Sequence, residues 1–404
     1  MAKILEGIRA VEWAWWHAGP ACGYILGDLG AEVIKIEEPG VGDPTRGLTR
    51  YMGLPVDLPN GSNTLHEIAN RNKKSVTLNL RQPEGRQILY RLVEKSDVFY
   101  NNFRQKVRAR LGLDYETLKR YNPRLIYATT SGFGQEGPDG DLRAFDTPGV
   151  ARAGLMHNIG EPGMPPQQMV FGLADQMTAS FLAYGIITAL LGRERLGIAQ
   201  EVEVSLFGTM IHGQAIGETA FFFRGEEPPR PQRTKAFNPL VNYYQCADGE
   251  WVIFSQNQPQ EAWAQFCKAL GIEELKDNPR FATTKARGQN CEELIAIIER
   301  VIGNKPRSQW LPIFKAHDLI YAPVQRTSDL PHDEQAWANQ YLLKYDHPAL
   351  GTKTVVGFPM KFSETPCAIQ REAPQLGQHT EEVLMEVGGY SWDDIARFQE
   401  KGLV

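Results

Sequence analysis

The chain has 404 residues, of which 42% are hydrophobic and 23% are charged. This content can bury a large core, and two domains are expected because single cores stop growing near ~250–300 residues. The formal net charge of −5 is spread along the chain without basic or acidic blocks, which argues against nucleic acid or an anionic membrane as a partner.

The cysteines and histidines follow no ligand spacing. Five cysteines are scattered without a Cys-X-X-Cys pair, and the eight histidines are dispersed. This pattern argues against a disulfide framework and against a metal site, and it favours a reducing cytosol. The N-terminus has no uninterrupted apolar stretch, and no segment approaches the ~20 apolar residues of a membrane span. We therefore expect a cytoplasmic, soluble protein.

Strand and helix patterns alternate through the first third of the chain. The predicted strands are 7–13, 31–37, 75–80, 97–100 and 125–129, and the predicted helices are 20–30 and 83–95. This alternation predicts an α/β fold with a mostly parallel sheet wrapped by helices. Ligands of such sheets bind at the carboxyl ends of the strands.

The middle of the chain predicts a second, smaller domain. A buried helix pair is predicted near 177–192 and 205–222, and the polar, proline-rich stretch 225–235 is predicted to be a linker. Residues 243–254 predict a hairpin that turns at an Asp-Gly pair. The resulting division is a large domain over 1–222, a linker over 223–236, a small α/β domain over 237–325, and a return linker with the C-terminal part of the large domain over 326–404.

The final helical pattern covers residues 378–388. Thr380 is predicted to cap this helix, and the glycine pair after Val387 is predicted to end it.

Asp175 is a lone carboxylate in the otherwise uncharged stretch 169–191. An ionised carboxylate beside apolar surface is costly unless a hydrogen bond or a chemical role explains it. Two interpretations are open: a helix N-cap, since a buried helix follows, or a nucleophile or base. The two are compatible, because a helix N-terminus favours the ionised form that a nucleophile needs.

Other common motifs are absent from the sequence. The glycines at 19, 23, 27 and 30 lack the Gly-X-Gly-X-X-Gly spacing of a dinucleotide site, so they are better explained by packing. No Gly-X-Ser-X-Gly elbow of a serine hydrolase occurs. Three tryptophans, Trp13, Trp15 and Trp16, precede His17 at the end of the first strand, where they either pack in the core or line a pocket for a bulky, apolar substrate. Basic clusters at 71–74 and 102–110 mark either a polyphosphate site or a solvated face.

Six ordered blocks of sequence carry a resemblance to a known family. They are Ala-Gly-Pro-Ala-Cys at 18–22 and the stretches 29–46, 72–80, 131–138, 173–175 and 376–384. Together they resemble the class III coenzyme A transferases of the CaiB/BaiF type, which include formyl-CoA, carnitine and phenyllactate CoA-transferases. The blocks keep their order over nearly the whole chain, and the family's nucleophilic aspartate falls on Asp175.

The resemblance implies a mechanism and a set of contacts. It implies that Asp175 attacks an acyl-CoA thioester and passes through aspartyl anhydride and aspartyl-CoA intermediates. Coenzyme A is then a substrate and carrier, with no permanently bound cofactor and no metal. His17 lies where some members carry a glutamine that steadies the acyl intermediate. The implied CoA contacts are Lys74, Asn102, Phe103, Arg110 and Arg143.

The resemblance also implies an assembly. It predicts a Rossmann-like large domain built from both chain ends, a smaller domain, and an interlinked homodimer, with a heterodimer as the alternative. The glycine-rich loop that closes over the intermediate in formyl-CoA transferase is replaced here by residues 238–245. Glu38 stands where some relatives carry a basic CoA contact. Loop closure is therefore not carried over to this chain.

The blocks at 67–80, 112–119 and 333–339 look most like aryl-lactate and 2-hydroxyacid CoA-transferases, so a bulky aryl or 2-hydroxy acid is expected. Benzylsuccinate CoA-transferases are a near alternative. The α-methylacyl-CoA racemases pair the same aspartate with a histidine, but this chain has Phe145 before Asp146 at that place, which disfavours a racemase. A non-catalytic subunit of a heterodimeric transferase is the alternative from a different class.

Overall fold

The structure is a computed structural model that describes residues 2–404. Contacts divide the chain into two compact units. The larger unit consists of the residues through Met156, Gln168–Glu226 and Trp337–Val404, and the smaller unit consists of His157–Gln167 and Glu227–Ala336.

Thirteen strands are found in residues 2–404. In chain order they are β1 (Arg9–Trp13), β2 (Glu32–Glu37), β3 (Arg50–Tyr51), β4 (Leu54–Pro55), β5 (Lys73–Thr77), β6 (Val98–Asn101), β7 (Ile126–Ser131), β8 (Glu201–Ser205), β9 (Val241–Gln245), β10 (Trp251–Ser255), β11 (Tyr321–Val324), β12 (Leu342–His347) and β13 (Gly351–Val356).

Seventeen α-helices connect and cover these strands in the described part of the chain. They are α1 (Ala18–Asp28), α2 (Thr64–Asn70), α3 (Pro83–Glu94), α4 (Gln105–Leu111), α5 (Tyr115–Leu118), α6 (Asp146–Arg152), α7 (Leu155–Asn158), α8 (Leu173–Leu196), α9 (Leu206–Gly213), α10 (Ala215–Arg224), α11 (Pro259–Leu270), α12 (Thr284–Gln289), α13 (Cys291–Ile302), α14 (Arg307–Ala316), α15 (Glu334–Ala338), α16 (Thr380–Glu386) and α17 (Trp392–Glu400). Short 3₁₀ segments occur at Arg233–Lys235, Glu273–Leu275 and Thr327–His332.

The larger unit is built on a six-stranded sheet in the order β5-β2-β1-β6-β7-β8. Every neighbouring pair is parallel. The chain therefore runs outward from β1 in one direction and then outward from β6 in the other, which is the doubly wound arrangement of a Rossmann-like fold. The predicted α/β fold with a parallel sheet is confirmed, and the predicted strands lie within a few residues of the observed ones.

Both faces of this sheet are buried, and alternate residues of each strand enter different cores. Val11 and Phe99 belong to the core covered by α3, α16 and α17, while Ala10 and Tyr100 belong to the core covered by α1 and α8. Both chain ends therefore contribute to the same unit, because α16 and α17 complete a core that the N-terminal strands begin.

The glycines of α1 serve packing, as expected. Every residue of α1 is buried, and a Cβ placed on Gly23 would collide with the Glu12 carboxylate and the Tyr100 hydroxyl. The helix thus lies close to the sheet because it lacks side chains at that point.

The smaller unit has its own sheet and core. Strands β9, β10 and β11 form an antiparallel sheet in the order β11-β10-β9, and the predicted hairpin is its β9–β10 pair. Tyr244 and Phe254 lie on its buried face, in a core shared with α11, α13 and α14.

The predicted domain boundaries differ from the two units in several places. The predicted linker 223–236 is divided after Glu226, and residues 326–336 of the predicted return linker group with the smaller unit. The sequence interpretation placed residues 157–167 in the large domain, whereas they group with the smaller unit. Arg230 explains the difference, because its guanidinium donates to the carbonyls of His157, Glu161 and Met164. These bonds attach the segment to the polar stretch that follows α10.

Two helix predictions were wrong. Thr380 is the first residue of α16 rather than its cap, which is His379; the Thr380 hydroxyl instead accepts from the Thr77 backbone N–H at 3.0 Å. The predicted second buried helix is two helices, α9 and α10, and every residue of α10 is at least partly exposed. Within residues 2–404, no helix combines the length and apolar character needed to cross a membrane.

Candidate active site

The sheet topology fixes where a ligand can bind. Successive strands are added to one side of β1 and then to the other side of β6, so the loops that follow these two adjacent strands diverge and leave a crevice at their carboxyl ends. Residues 14–17 follow β1, and residues 102–104 follow β6. His17, Asn102 and Phe103, three of the predicted site residues, therefore lie at the switch point of the sheet.

A cavity of about 520 Å³ opens at this point. Five predicted site residues line it: His17, Asn102, Phe103, Arg143 and Asp175. The structure thus brings together residues that are far apart in sequence, with Asp175 contributed by the first turn of α8.

Asp175 is the third residue of α8 and does not cap it. Gly172, with φ +85°, occupies the cap position, so the N-cap interpretation of Asp175 was wrong. The Asp175 backbone N–H donates to the Asp146 carboxylate at 3.0 Å, and its own carboxyl group is free to face the cavity.

Burial, rather than the helix terminus, dominates the charge state of Asp175. Burial raises the pKa of Asp175 from 3.8 to about 7, and the neighbouring Asp146 carboxylate adds to the increase. The expectation that the helix N-terminus would favour the ionised form is therefore outweighed. A carboxylate with this pKa is about half ionised at pH 7 and is more basic than an ordinary aspartate.

His17 is held by the residue next to Asp175. Its Nε2 lies 3.1 Å from Gln176 Oε1, and Gln176 Nε2 donates to the Tyr24 hydroxyl at 2.7 Å. Burial lowers the pKa of His17 below 6.5, so the imidazole is mostly neutral at pH 7. With the Gln176 amide in this orientation, Nε2 of His17 carries the proton and donates it.

Phe103 and Asn102 contact the tryptophans at the end of β1, Trp13 and Trp15. The Phe103 ring stacks on Trp13 with centroids 3.9 Å apart and meets Trp15 edge-on at 4.8 Å. Asn102 Oδ1 accepts from the Trp15 N–H at 3.0 Å, and its Nδ2 donates to the Trp15 carbonyl at 2.6 Å. Trp15 and Trp16 line the cavity. Trp13 packs in the core and also borders a neighbouring cavity, so both interpretations of the tryptophans apply.

A second cavity of about 530 Å³ continues along the same edge of the sheet. It shares Trp15, Phe103 and Val107 with the first cavity. Its other walls come from the ends of β2 and β5 and from Arg110 of α4. The two adjoining cavities, here called the cleft, have Asp175 in the lining of the first and Arg110 in the lining of the second.

Lys74 is the predicted site residue that the structure keeps away from this cleft. It lies near the amino end of β5 and forms ion pairs with Glu32 at 2.8 Å and Glu382 at 2.7 Å. These carboxylates raise its pKa against the effect of burial. The carboxyl ends of the strands, where the cleft opens, are on the opposite edge.

Three residues next to Asp175 were missed from the sequence. Gln176 and Asp146 make the bonds described above. Tyr51 contacts Phe171 with ring centroids 5.3 Å apart, and its pKa is raised by burial and by the charges of Asp175 and Asp146. Gln176 could have been found as the neighbour of Asp175, whereas Tyr51 lies on a distant hairpin. Within residues 2–404, no group of three or more His, Cys, Asp or Glu side chains could hold a metal ion.

Comparison with known proteins identifies the family of the chain. A family model for CoA-transferase family III matches residues 5–380. The chain belongs to this family. It is therefore an enzyme, a CoA-transferase, and CoA is a substrate of the family to which it belongs.

The similar proteins include two CoA-transferases whose names contain a 2-hydroxy acid. The cinnamoyl-CoA:phenyllactate CoA-transferase of Clostridium sporogenes is 34% identical over 98% of this chain and 96% of its own length. The (R)-2-hydroxy-4-methylpentanoate CoA-transferase of Clostridioides difficile is 33% identical over 99% of both chains. Among solved structures, a CaiB/BaiF family protein from Brucella suis superposes with a TM-score of 0.84 at 30% identity, covering 96% of this chain and all of that one.

Proposed function

We propose that this family III enzyme transfers CoA from an acyl-CoA thioester to a carboxylic acid through covalent intermediates on Asp175. The observation that carries the proposal is the position of Asp175. It is a partly buried carboxyl group with a pKa of about 7 in the lining of a cavity at the carboxyl ends of the strands, next to a second cavity of similar volume.

The reaction proceeds in four exchanges at carbonyl carbon. The Asp175 carboxylate attacks the acyl carbonyl and the C–S bond breaks. This step forms an aspartyl anhydride and expels the CoA thiolate. The thiolate then attacks the aspartyl carbonyl and releases the first acid, which leaves aspartyl-CoA. The incoming carboxylate attacks aspartyl-CoA and releases the thiolate again. Finally the thiolate attacks the new acyl carbonyl, and Asp175 is regenerated as a carboxylate.

The balance of these steps explains what the site must supply. One thioester and one carboxylate are consumed and one of each is formed, so the reaction needs no ATP. Water must be excluded, because an anhydride would otherwise hydrolyse. Donors must also stabilise the oxyanions. The neutral His17 gives its one N–H to Gln176, so we assign it the role of holding the side chain next to Asp175 rather than that of an oxyanion donor.

We place the CoA moiety along the cleft between Asp175 and Arg110. Arg110 and Arg143 are exposed residues of the lining, so each can approach a phosphate. The aromatic residues Trp15 and Phe103 stand between the two cavities. Arg110→Ala and Arg143→Ala should each raise KM for acyl-CoA about tenfold with little change in kcat, because phosphate contacts are equal in the ground and transition states. Lys74 is assigned no CoA contact here.

The acyl groups are proposed to be bulky aryl or 2-hydroxy acids. Trp16, Phe145 and Leu142 line the cavity that contains Asp175, which suits an apolar acyl group. The two similar enzymes that act on phenyllactate and on 2-hydroxy-4-methylpentanoate support the same class.

The cavity lining also weighs against an α-methylacyl-CoA racemase. Phe145, at the place where those enzymes carry a histidine, meets Trp16 edge-on with centroids 5.4 Å apart. A phenyl ring cannot exchange a proton, so an epimerisation would lack its second acid–base group.

A trapping experiment tests the covalent mechanism. The protein is mixed with a panel of acyl-CoAs and hydroxylamine, digested, and searched by mass spectrometry for a hydroxamate on Asp175. We expect the hydroxamate with aryl and 2-hydroxyacyl donors and none in the Asp175→Asn variant. No hydroxamate with any donor in a protein that still binds CoA, or full turnover by Asp175→Ala, would overturn the mechanism.

A homodimer is proposed from the surface of α10. In the described chain α10 buries none of its residues, and Ile216 and Phe223 are 93% and 87% exposed. A ten-residue helix in water is marginal without packing, so a second copy of this chain is proposed to cover it. Light scattering after size exclusion should give twice the chain mass of 45.4 kDa. A monomer, or activity that appears only with a different partner chain, would contradict the homodimer. A cytosolic location stays a prediction of the sequence.

A further inference from the structure

Residues 14–16, between β1 and the site, have an unusual backbone. Trp16 has φ +68°, a left-handed conformation that costs a bulky L residue free energy. Such a conformation persists only where its surroundings determine it.

Two buried charged side chains form hydrogen bonds with the backbone of residues 14–16. The Trp16 N–H donates to Asp43 Oδ1 at 3.3 Å, and Lys35 Nζ donates to the Ala14 carbonyl at 2.9 Å. Lys35 also donates to Asp43 Oδ2 at 2.9 Å and to Glu12 Oε1 at 2.8 Å. One charged chain, Glu12–Lys35–Asp43, thus holds both sides of the loop.

These groups cannot reach a substrate. The Lys35, Glu12 and Asp43 side chains are 0% exposed, and none of them lines either cavity of the cleft. Buried ion pairs contribute little net free energy to folding, because the cost of desolvating both charges offsets much of their attraction. A role in fixing one conformation accounts for their position better than stability does.

The loop that they hold carries part of the acyl site. The Trp16 ring contacts Phe145 at 5.4 Å, and Phe145 immediately precedes Asp146, whose carboxylate accepts from the Asp175 N–H. Trp16, Phe145 and Asp175 line the same cavity. A change in the Trp16 backbone would therefore move one wall of the space beside Asp175.

We propose that Lys35 and Asp43 are positioning residues that set the acyl selectivity of the enzyme by holding Trp16 in its left-handed conformation. This inference rests on the proposed function for the assignment of the acyl end of the cleft. The buried pair acts through the Trp16 indole, which is the group that contacts the acyl chain.

Binding of unreactive analogues tests the inference without requiring turnover. S-benzyl-CoA and S-methyl-CoA are thioethers that an aspartate cannot cleave, and their dissociation constants can be measured by calorimetry. In Asp43→Ala, we expect the preference for S-benzyl-CoA over S-methyl-CoA to fall about tenfold, the value of one aromatic contact. Affinity for S-methyl-CoA should stay within about threefold of the parent, because the CoA end of the cleft is unchanged.

The chain offers a matched control for loss of stability. Asp97 forms a half-buried ion pair with Arg193 at 2.8 Å. It directly precedes β6, so it lies at the amino edge of the sheet, opposite the edge that carries residues 14–17. Asp97→Ala should lower the melting temperature as Asp43→Ala does but leave the benzyl-to-methyl ratio unchanged. An equal fall of this ratio in Asp97→Ala would overturn the proposal, because general loosening would then explain it.

A gentler variant covers the case in which Asp43→Ala does not fold. Asp43→Asn keeps an oxygen that can accept from the Trp16 N–H but loses the charge that pairs with Lys35. We expect a smaller fall of the ratio in the same direction, and an unchanged ratio in a folded Asp43→Asn protein would overturn the role of the ion pair. Hydroxylamine trapping on the parent tests the proposed function separately, since these binding ratios do not depend on it.

Discussion

Replacing Asp175 with asparagine should stabilise the protein at alkaline pH. The pKa of Asp175 is about 7 in the folded protein and 3.8 ordinarily. Between these values the folded protein holds a proton that the unfolded chain has released, so stability falls as pH rises from about 4 to about 7. Above pH 7 the full cost of keeping this carboxylate ionised is present.

The magnitude follows from the difference between the two pKa values. About three pH units at 1.36 kcal/mol each give about 4 kcal/mol, and screening of a partly exposed group reduces this to about 2–4 kcal/mol. Asparagine has nearly the same shape and no charge at any pH. The Asp175→Asn variant should therefore unfold with a free energy about 2–4 kcal/mol higher than the parent at pH 8 and with nearly the same free energy at pH 4.

Urea unfolding at pH 4, 6 and 8 measures this difference. Asp393 provides the control, because it is an exposed carboxylate in the first turn of α17; Asp393→Asn should change stability by less than about 0.5 kcal/mol. If Asp175→Asn gains nothing at pH 8, the carboxylate is not desolvated as described and the reasoning fails. The expected gain would mean that stability is given up for a reactive group.

Three further outcomes are expected from residues around Asp175. The kcat/KM for acyl-CoA should rise about tenfold per pH unit below pH 7 and level off above it, and Asp146→Asn should move this acid limb to lower pH, since one cause of the raised Asp175 pKa is removed. A limb that stays in place would contradict that effect of Asp146. His17→Gln should keep most activity while His17→Ala loses about tenfold to a hundredfold in kcat, as measured with saturating donor; equal losses would exclude a hydrogen-bonding role. Trp16→Gly should have an unfolding free energy about 1 kcal/mol higher than Trp16→Ala, because glycine accepts a positive φ. The reverse order in urea unfolding would show that the backbone is unstrained.

The sheet could be predicted from the sequence because its signal is local. Buried parallel strands appear as short apolar runs, and the helices between them repeat with a clear period. The same local reasoning identified Asp175, since a single charge in an apolar stretch is visible without a structure. The same reasoning placed the N-cap of α8 at Asp175, three residues after the observed cap Gly172, because both residues suit a helix start in sequence.

The rest of the site depends on contacts between distant segments. Asp146 and Tyr51 reach Asp175 from α6 and β3, and no spacing in the sequence records that approach. Lys74 lies in a basic cluster of the sequence, yet near the amino end of β5 it forms ion pairs with Glu32 and Glu382 instead of facing the cleft. For α10, the apolar pattern was visible, but a pattern cannot show which surface covers a helix.

The route of the chain through its two units has a consequence for synthesis on the ribosome. The core that begins with Val11 is closed by Val383 and Phe398, which emerge after every residue of the smaller unit has been made. Residues 227–336 can therefore fold during translation while one face of the large sheet still lacks its last two helices. A nascent chain stalled before residue 380 would expose that face, so truncation near the C-terminus should recruit chaperones far more strongly than its short length suggests.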